Sequence, residues 1–400
     1  MSLPVINGYL RPDGRKGIRN SLLVVYLVEC AHHVAREITY PYRDRGAQLI
    51  GFGGCYPNAY SLRILTELCT HPNVGGVVLI SLGCEGFDKR TLLASIRKSG
   101  RPADLFIIQQ EGGTSRTIRE GRAKVVEILD KIADGPRVEM TAADLIFGTV
   151  CGGSDGTSGI TANPGVGLCF DRLINAGGTA IFEETGELIG CEHIMASRAK
   201  TPTLAVELEK CVAKAAVYYA KMGHGSFSPG NADGGLTTQE EKSMGAYAKS
   251  GSSAISGIIK PGDIPRKKGL YLLDVVPDGE PQFGFPNIND SAEIAELIAC
   301  GSHLVLFATG RGSVVGSVIS PVIKVCANPE TYRNMEEDMD VDAGRILEGN
   351  GSLEEVGLEI YEKTLRVAAG EPTKSELLGH QEFVLTYKSF EPVGPGCFPQ

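Results

Sequence analysis

Cys151 opens a short run, Cys151-Gly152-Gly153-Ser154-Asp155-Gly156-Thr157-Ser158-Gly159, that gathers a thiol, a carboxylate and several hydroxyls. An apolar stretch, Leu145 to Val150, precedes it and reads as a strand covered on both faces. Asn163 is a candidate N-cap behind the loop, and Pro164 suits the first position of a helix. Open α/β sheets bind ligands at the carboxyl ends of their strands, which is where this loop falls. The alternative is a plain tight turn with a buried cysteine, and the other reactive residues weigh between the two. Cys55, Cys84 with Glu85, and Gln109 with Gln110 each follow directly on an apolar run. Residues that recur at one end of successive strands share one edge of a sheet, so these positions favour a site.

The second half of the chain adds further chemistry. Glu183-Glu184-Thr185-Gly186-Glu187 follows a predicted strand, with Glu192-His193 a few residues later. Carboxylates and a histidine there could hold a divalent metal or act as acid and base. The other reading is a charged helix start. Lys242 and Lys249, seven apart on a predicted helix, share a face and could meet one anion or form a solvated stripe. Arg11 and Arg19 lie in a turn-rich segment, Gly8 to Asn20, that either grips a carboxylate through the guanidinium fork or is a solvated arm. Thr309-Gly310-Arg311-Gly312-Ser313 resembles an anion cradle, but no P-loop lysine follows it and no strand-linked dinucleotide fingerprint occurs.

These residues need elements to hold them. Leu22–Val28, Gln48–Phe52, Val77–Leu82 and Asp104–Ile108 read as strands, each followed by a helical pattern. Four strand–loop–helix units in succession predict a parallel sheet with right-handed crossovers. Residues 134–141 read as a connection, after which the pattern resumes. A helix is expected over 164–176, strands over Gly178–Phe182, Leu270–Asp274, His303–Ala308 and Pro321–Val325, and a long amphipathic helix over Leu204–Met222. Residues 224–238 form a long loop, and Thr238 with Glu241 predicts a capping box for the helix that carries Lys242. Acidic helices are expected from Glu330 to about Gly370, and an extended Pro- and Gly-rich arm from Glu391. The expected fold is thus α/β, with two Rossmann-like doubly wound lobes, residues 1–135 and 141–400, mostly parallel sheets, and the site in the cleft between them.

Composition bounds the function. The 400 residues exceed a single core of about 250–300 residues. A net charge of −9, no tryptophan and no long basic run argue against nucleic acid as a partner. No apolar run approaches the ~18–20 residues that span a bilayer, and Met1 to Gly8 lacks the pattern of a signal peptide. Eleven cysteines without an export signal predict reduced thiols and a cytoplasmic protein.

Several stretches together resemble the altronate/galactarate dehydratase family, which includes the large subunit of sulfolactate sulfo-lyase. They are GYLRPDGRKGIRN, HPNVGGVVLISLGCEG, IQQEGGTSRTIREG, CGGSDGTSGITANPGVG, FSPGNADGGLTTQEEKSMGA, LVLFATGRGS and DMDVDAG, running from residue 8 to about residue 344. The resemblance implies a cytoplasmic lyase that removes water from a 2,3-dihydroxy sugar acid to give a 2-keto-3-deoxy acid. The alternatives are sulfite elimination from sulfolactate, or a non-catalytic subunit that binds sugar acids. Iron is the implied cofactor, as Fe2+ or an iron–sulfur cluster, with another divalent metal as the variant. Cys55, Cys84 and Cys151 are then candidate ligands, and Glu184 with His193 is the competing set. Lys242, Lys249, His193 and Glu85 are the candidate acid–base residues. Arg11, Arg19, Arg311 and Lys324 are expected to hold the carboxylate, and Ser154, Asp155, Ser158 and Asn163 the hydroxyls. Family members carry a small domain ahead of the segment that here begins at Gly8, so a separate small subunit is the expected partner, alongside a homo-oligomer. The loop before Cys55 lacks a histidine that family members often have there, which weighs against any metal set that includes it.

Overall fold

Strand, loop and helix alternate along the chain as the apolar periodicity demands. In a computed structural model, residues 4–223, 225, 227–279 and 289–386 are described. Two compact units divide at residues 139 and 140.

The unit over residues 7–139 begins with a hairpin of β1 (Ile6–Leu10) and β2 (Lys16–Gly17). The segment from Gly8 to Asn20 is therefore not a free arm. A four-stranded sheet follows, built from β3 (Ser21–Tyr26), β4 (Ala47–Gly51), β5 (Val74–Ser81) and β6 (Ala103–Ile107). Its order is β4-β3-β5-β6 and every pairing is parallel. Every residue of β5 is buried, as expected of a strand between two helical layers. Leu22, Val24, Val78 and Ile80 pack against Val34, Ile38, Val125 and Ile128 of the helices His32–Thr39 and Thr114–Ala133. β7 (Arg137–Met140) joins the β1–β2 hairpin as a third strand.

The unit over residues 140–382 carries a larger sheet. Its strands are β8 (Ile146–Cys151), β9 (Thr179–Phe182), β10 (Ile255–Ile259), β11 (Gly269–Leu273), β12 (Leu304–Thr309), β13 (Val322–Cys326) and β14 (Val341–Asp342). They run in the order β10-β11-β9-β8-β12-β13-β14, all parallel. The chain is thus mixed α/β with mostly parallel sheets. β7, β10 and β14 are short or glycine-interrupted and carry no clear periodicity in the sequence.

The predicted long helix spans Pro202–Met222, and the capping box of Thr238 and Glu241 opens the helix Gln239–Ala248. One boundary differs from expectation. Thr161, not Asn163, is the N-cap of the helix Ala162–Asn175, so Asn163 lies inside its first turn. Its side chain is thereby freed from capping and instead donates from Nδ2 to Gly245 O at 2.9 Å. The segment after Glu330 holds the helices Pro329–Asn334 and Leu353–Ala368 with β14 between them. His224, Ser226 and the arm from Glu391 lie outside the described residues.

Candidate active site at the end of β8

β8 is where the larger sheet reverses its strand order: the chain first adds β9 on one side and later places β12 on the other. Such a switch point leaves a crevice at the carboxyl ends of the two central strands. Cys151 ends β8, and the loop behind it is pinned to the loop behind β12. Gly152 N donates to Ala308 O at 3.1 Å, while Gly310 N and Arg311 N donate to Gly153 O at 3.1 and 2.8 Å. A side chain at Gly152 would overlap the Asp290 carboxylate and the Phe307 ring, so glycine is what lets these groups close up.

The buried Cys151 thiol faces two carboxylates. Sγ lies 3.3 Å from each Glu184 oxygen and 3.5 Å from Glu187 Oε2. Glu184 has φ +81°, and no other non-glycine among the described residues has positive φ. That conformation costs on the order of 1 kcal/mol and such residues cluster at functional sites. Glu187 is three residues further along the 3-10 turn Thr185–Leu188, a spacing that brings side chains to the same side.

The helix Gln239–Ala248 brings the cations. Lys242 Nζ is 2.6 Å from Glu187, 3.2 Å from Cys151 Sγ and 3.0 Å from Ser154 Oγ. Lys249, one turn and a half later, pairs with Glu184. Both lysines are buried. Burial alone would lower the Lys242 ammonium, but Cys151 and Glu187 outweigh it and hold it above the usual lysine range. Lys242 is therefore a fixed cation, suited to stabilise negative charge rather than to remove a proton.

Asp290 completes the cluster. It opens the helix Asp290–Ala299 beside Gly152. Burial, reinforced by repulsion from Glu187, pushes its carboxyl up to about 6, although Lys242 and Lys249 pull it down. Neither Asp290 nor Glu187 is among the residues that the sequence reading selected. Glu187 could have been found from its spacing of three from Glu184. Asp290 looks in the sequence like an ordinary acidic first turn behind the Asn289 cap.

The remaining candidates divide clearly. Ser154 belongs to the cluster. Asn163 Oδ1 is buried without a hydrogen-bond partner among the described residues. Asp155 shapes the loop, accepting from Thr157 N and Oγ1, Ser158 Oγ and Asn328 Nδ2. Arg311 is exposed and its guanidinium donates to Gly230 O. Lys324 sits in the middle of β13, its Nζ 3.2 Å from His380 Nδ1 and 3.4 Å from Val315 O. His193 is exposed on the short helix Glu192–Ser197.

In the unit over residues 7–139, Arg11 is buried and spends its guanidinium on Pro72 O, Asn20 Oδ1 and Arg19 O. Arg19 donates to Ile18 O. Glu85 is buried, held by Ser81 Oγ, Gly83 N and Lys89. Burial would raise its carboxyl, but these partners keep it below the usual range, as an anion that anchors its own loop. Cys55 and Cys84 are exposed on neighbouring loops.

Two donor sets could hold a metal ion: Cys151, Glu184 and Glu187, and Glu183, Glu184 and Glu293, each within 4.8 Å. In the first, however, Lys242 and Lys249 occupy the place of a cation against both carboxylates. In the second, Glu184 again carries Lys249. A divalent ion would leave two buried ammoniums without their counter-charges, which is strongly unfavourable. Iron does not fit this arrangement, and the chemistry here belongs to the side chains themselves.

A parallel α/β fold with buried lysines, carboxylates and a thiol at a switch point defines the architecture of a small-molecule enzyme. Residues 142–390 match the D-galactarate/altronate dehydratase C-terminal family, and residues 8–133 match the second domain of D-galactarate dehydratase/altronate hydrolase. Among curated relatives, (2R)-sulfolactate sulfo-lyase subunit beta of Chromohalobacter salexigens is 33% identical over 389 residues, 95% of this chain and 96% of that one. Altronate dehydratase of Bacillus subtilis is 29% identical, covering 94% of this chain and 76% of the relative. Galactarate dehydratase (L-threo-forming) of Escherichia coli is 32% identical over 322 residues, 77% of this chain and 59% of that protein. The chain belongs to the D-galactarate/altronate dehydratase family, a family of lyases.

Proposed function

We propose that this chain is a carbon–oxygen lyase that dehydrates a sugar acid, an aldonate or aldarate, to a 2-keto-3-deoxy acid. The observation that carries the reading is the pair of buried lysines held around Cys151 beside an aspartate poised near 6. Elimination removes the proton next to the carboxylate, and negative charge builds on the carboxylate oxygens. Lys242 and Lys249 supply fixed positive charge for that anion in a site closed to water, where it counts most. Asp290 has a pKa suited to proton transfer near neutrality. As a carboxylate it takes the α-proton, and it then delivers that proton to the departing hydroxyl, so that water leaves and the enol rearranges to the ketone. Ser154 and Asn163 Oδ1 are available to orient substrate hydroxyls.

A second reading has its own support, because the sulfo-lyase subunit is matched over 96% of its length whereas the two dehydratases extend further. Sulfite needs no proton to depart, so in that case Asp290 acts as base alone. The name "subunit beta" of that relative supports a separate partner subunit for this chain as well. The test is formation of 2-keto acid from aldonates, aldarates and sulfolactate, measured anaerobically with and without a candidate small subunit and ferrous iron. Turnover of a sugar acid supports dehydration, turnover of sulfolactate alone selects the second reading, and no turnover in any combination refutes both.

A further inference from the structure

Free cysteines are among the most buried residues in proteins. Here Cys69, Cys151, Cys169, Cys191, Cys211, Cys300 and Cys326 obey that rule, while Cys30, Cys55 and Cys84 are exposed. These three are not scattered. They sit on the loops that follow β3, β4 and β5, at the carboxyl edge of the four-stranded sheet. The loops are tied to one another: Glu29 N donates to Gly53 O at 3.2 Å, Gly86 N to Cys55 O at 3.0 Å, and Leu27 N to Ile80 O at 3.0 Å. β3 and β5 are also the strands between which this sheet reverses its order, with β4 on one side and β5 on the other. The exposed thiols thus mark the place where a sheet of this type binds a ligand. Gly83, at φ +128°, allows the turn that presents Cys84.

The kind of ligand follows from donor type and spacing. Three thiolates are soft donors that select iron–sulfur clusters, zinc or Cu(I) over hard cations. Around a single ion, at a metal–sulfur distance of about 2.3 Å, thiolates stand about 3.8 Å apart. The three sulfurs here do not all fall within 4.8 Å of one another. A cluster that contributes its own sulfides spans a wider set. We propose that Cys30, Cys55 and Cys84 are the protein ligands of an iron–sulfur cluster at the edge of this sheet, with one iron left open to an oxygen ligand. Each thiol gives up its proton on binding. This places iron away from the lysine-filled set at Cys151, and it does not depend on which acid is the substrate.

The test uses the full chain purified without oxygen, and separately the iron-free chain incubated with ferrous iron and sulfide. Wild-type protein and Cys151→Ser are expected to carry about four irons and as many acid-labile sulfides per chain, with broad visible absorption. Cys30→Ser, Cys55→Ser and Cys84→Ser are expected to lose at least tenfold of that content (~1.4 kcal/mol in binding), while keeping the wild-type circular dichroism. Alkylation followed by peptide mass analysis supplies a second readout: the three thiols react rapidly in iron-free wild-type protein and are protected once loaded. A protein that takes up no cluster overturns the proposal, as do serine variants that load like wild type. Loss in Cys151→Ser with retention in Cys30→Ser equally overturns it, by moving the ligands elsewhere.

Discussion

Replacing Asp290 by asparagine separates proton transfer from packing. The Asp290 carboxyl rises from 3.8 to about 6 in the folded chain, because burial and Glu187 oppose its charge. A raised acid stabilises the fold only while it is protonated: the contribution is full below the unfolded pKa and is lost as pH rises through about 6. The shift of about two units corresponds to about 3 kcal/mol lost by pH 8, at ~1.4 kcal/mol per unit. Near pH 4 the same calculation gives about 0.5 kcal/mol. Asparagine keeps the shape and never ionises, so Asp290→Asn is expected to be more stable than wild type at pH 8 and nearly equal to it at pH 4. For a unit of this size about 3 kcal/mol is roughly 6–12 °C in Tm. The assay is thermal unfolding of both proteins across that pH range, with turnover measured alongside. Activity is expected to fall by about 10²–10⁴-fold, the usual contribution of a general acid–base group. A variant whose stability difference does not grow with pH, or one that turns over normally, would refute the reasoning.

Other perturbations probe the rest of the site. Lys242→Met is expected to lower kcat by about 10²–10³-fold with a smaller change in KM, since its charge acts on the developing anion; steady-state kinetics shows which parameter moves. Its loss also leaves Glu187 buried without its cation, which should cost about 3–5 kcal/mol in denaturant unfolding. Gly152→Ala places a methyl where the Asp290 carboxylate lies, so a loss of about 1–3 kcal/mol is expected, together with a displaced activity pH profile. Lys324→Met should lower stability while leaving KM unchanged, because Lys324 is turned to His380 and Val315; a raised KM would return it to the substrate.

Much of this protein is legible in its sequence. Continuous apolar runs such as Val74–Ser81 can only be strands covered on both faces, and their alternation with helices dictates parallel sheets. The short glycine-rich loops after those strands mark the edges where ligands bind, and Cys151, Glu184, Lys242 and Lys249 follow from that rule. Tertiary structure decided the rest, because side chains far apart in sequence meet only once strand order is set. Arg11 and Lys324 look like free cations on paper, yet one is tied up inside the β1–β2 hairpin and the other lies mid-strand. Asp290 is an ordinary helix start until β12 is placed beside β8, which puts Asp290 against Gly152 and Glu187. The loop at Cys151 illustrates both levels. Its composition determines that it can turn tightly and carry a thiol, while only the folded sheet surrounds that thiol with two carboxylates and their lysines.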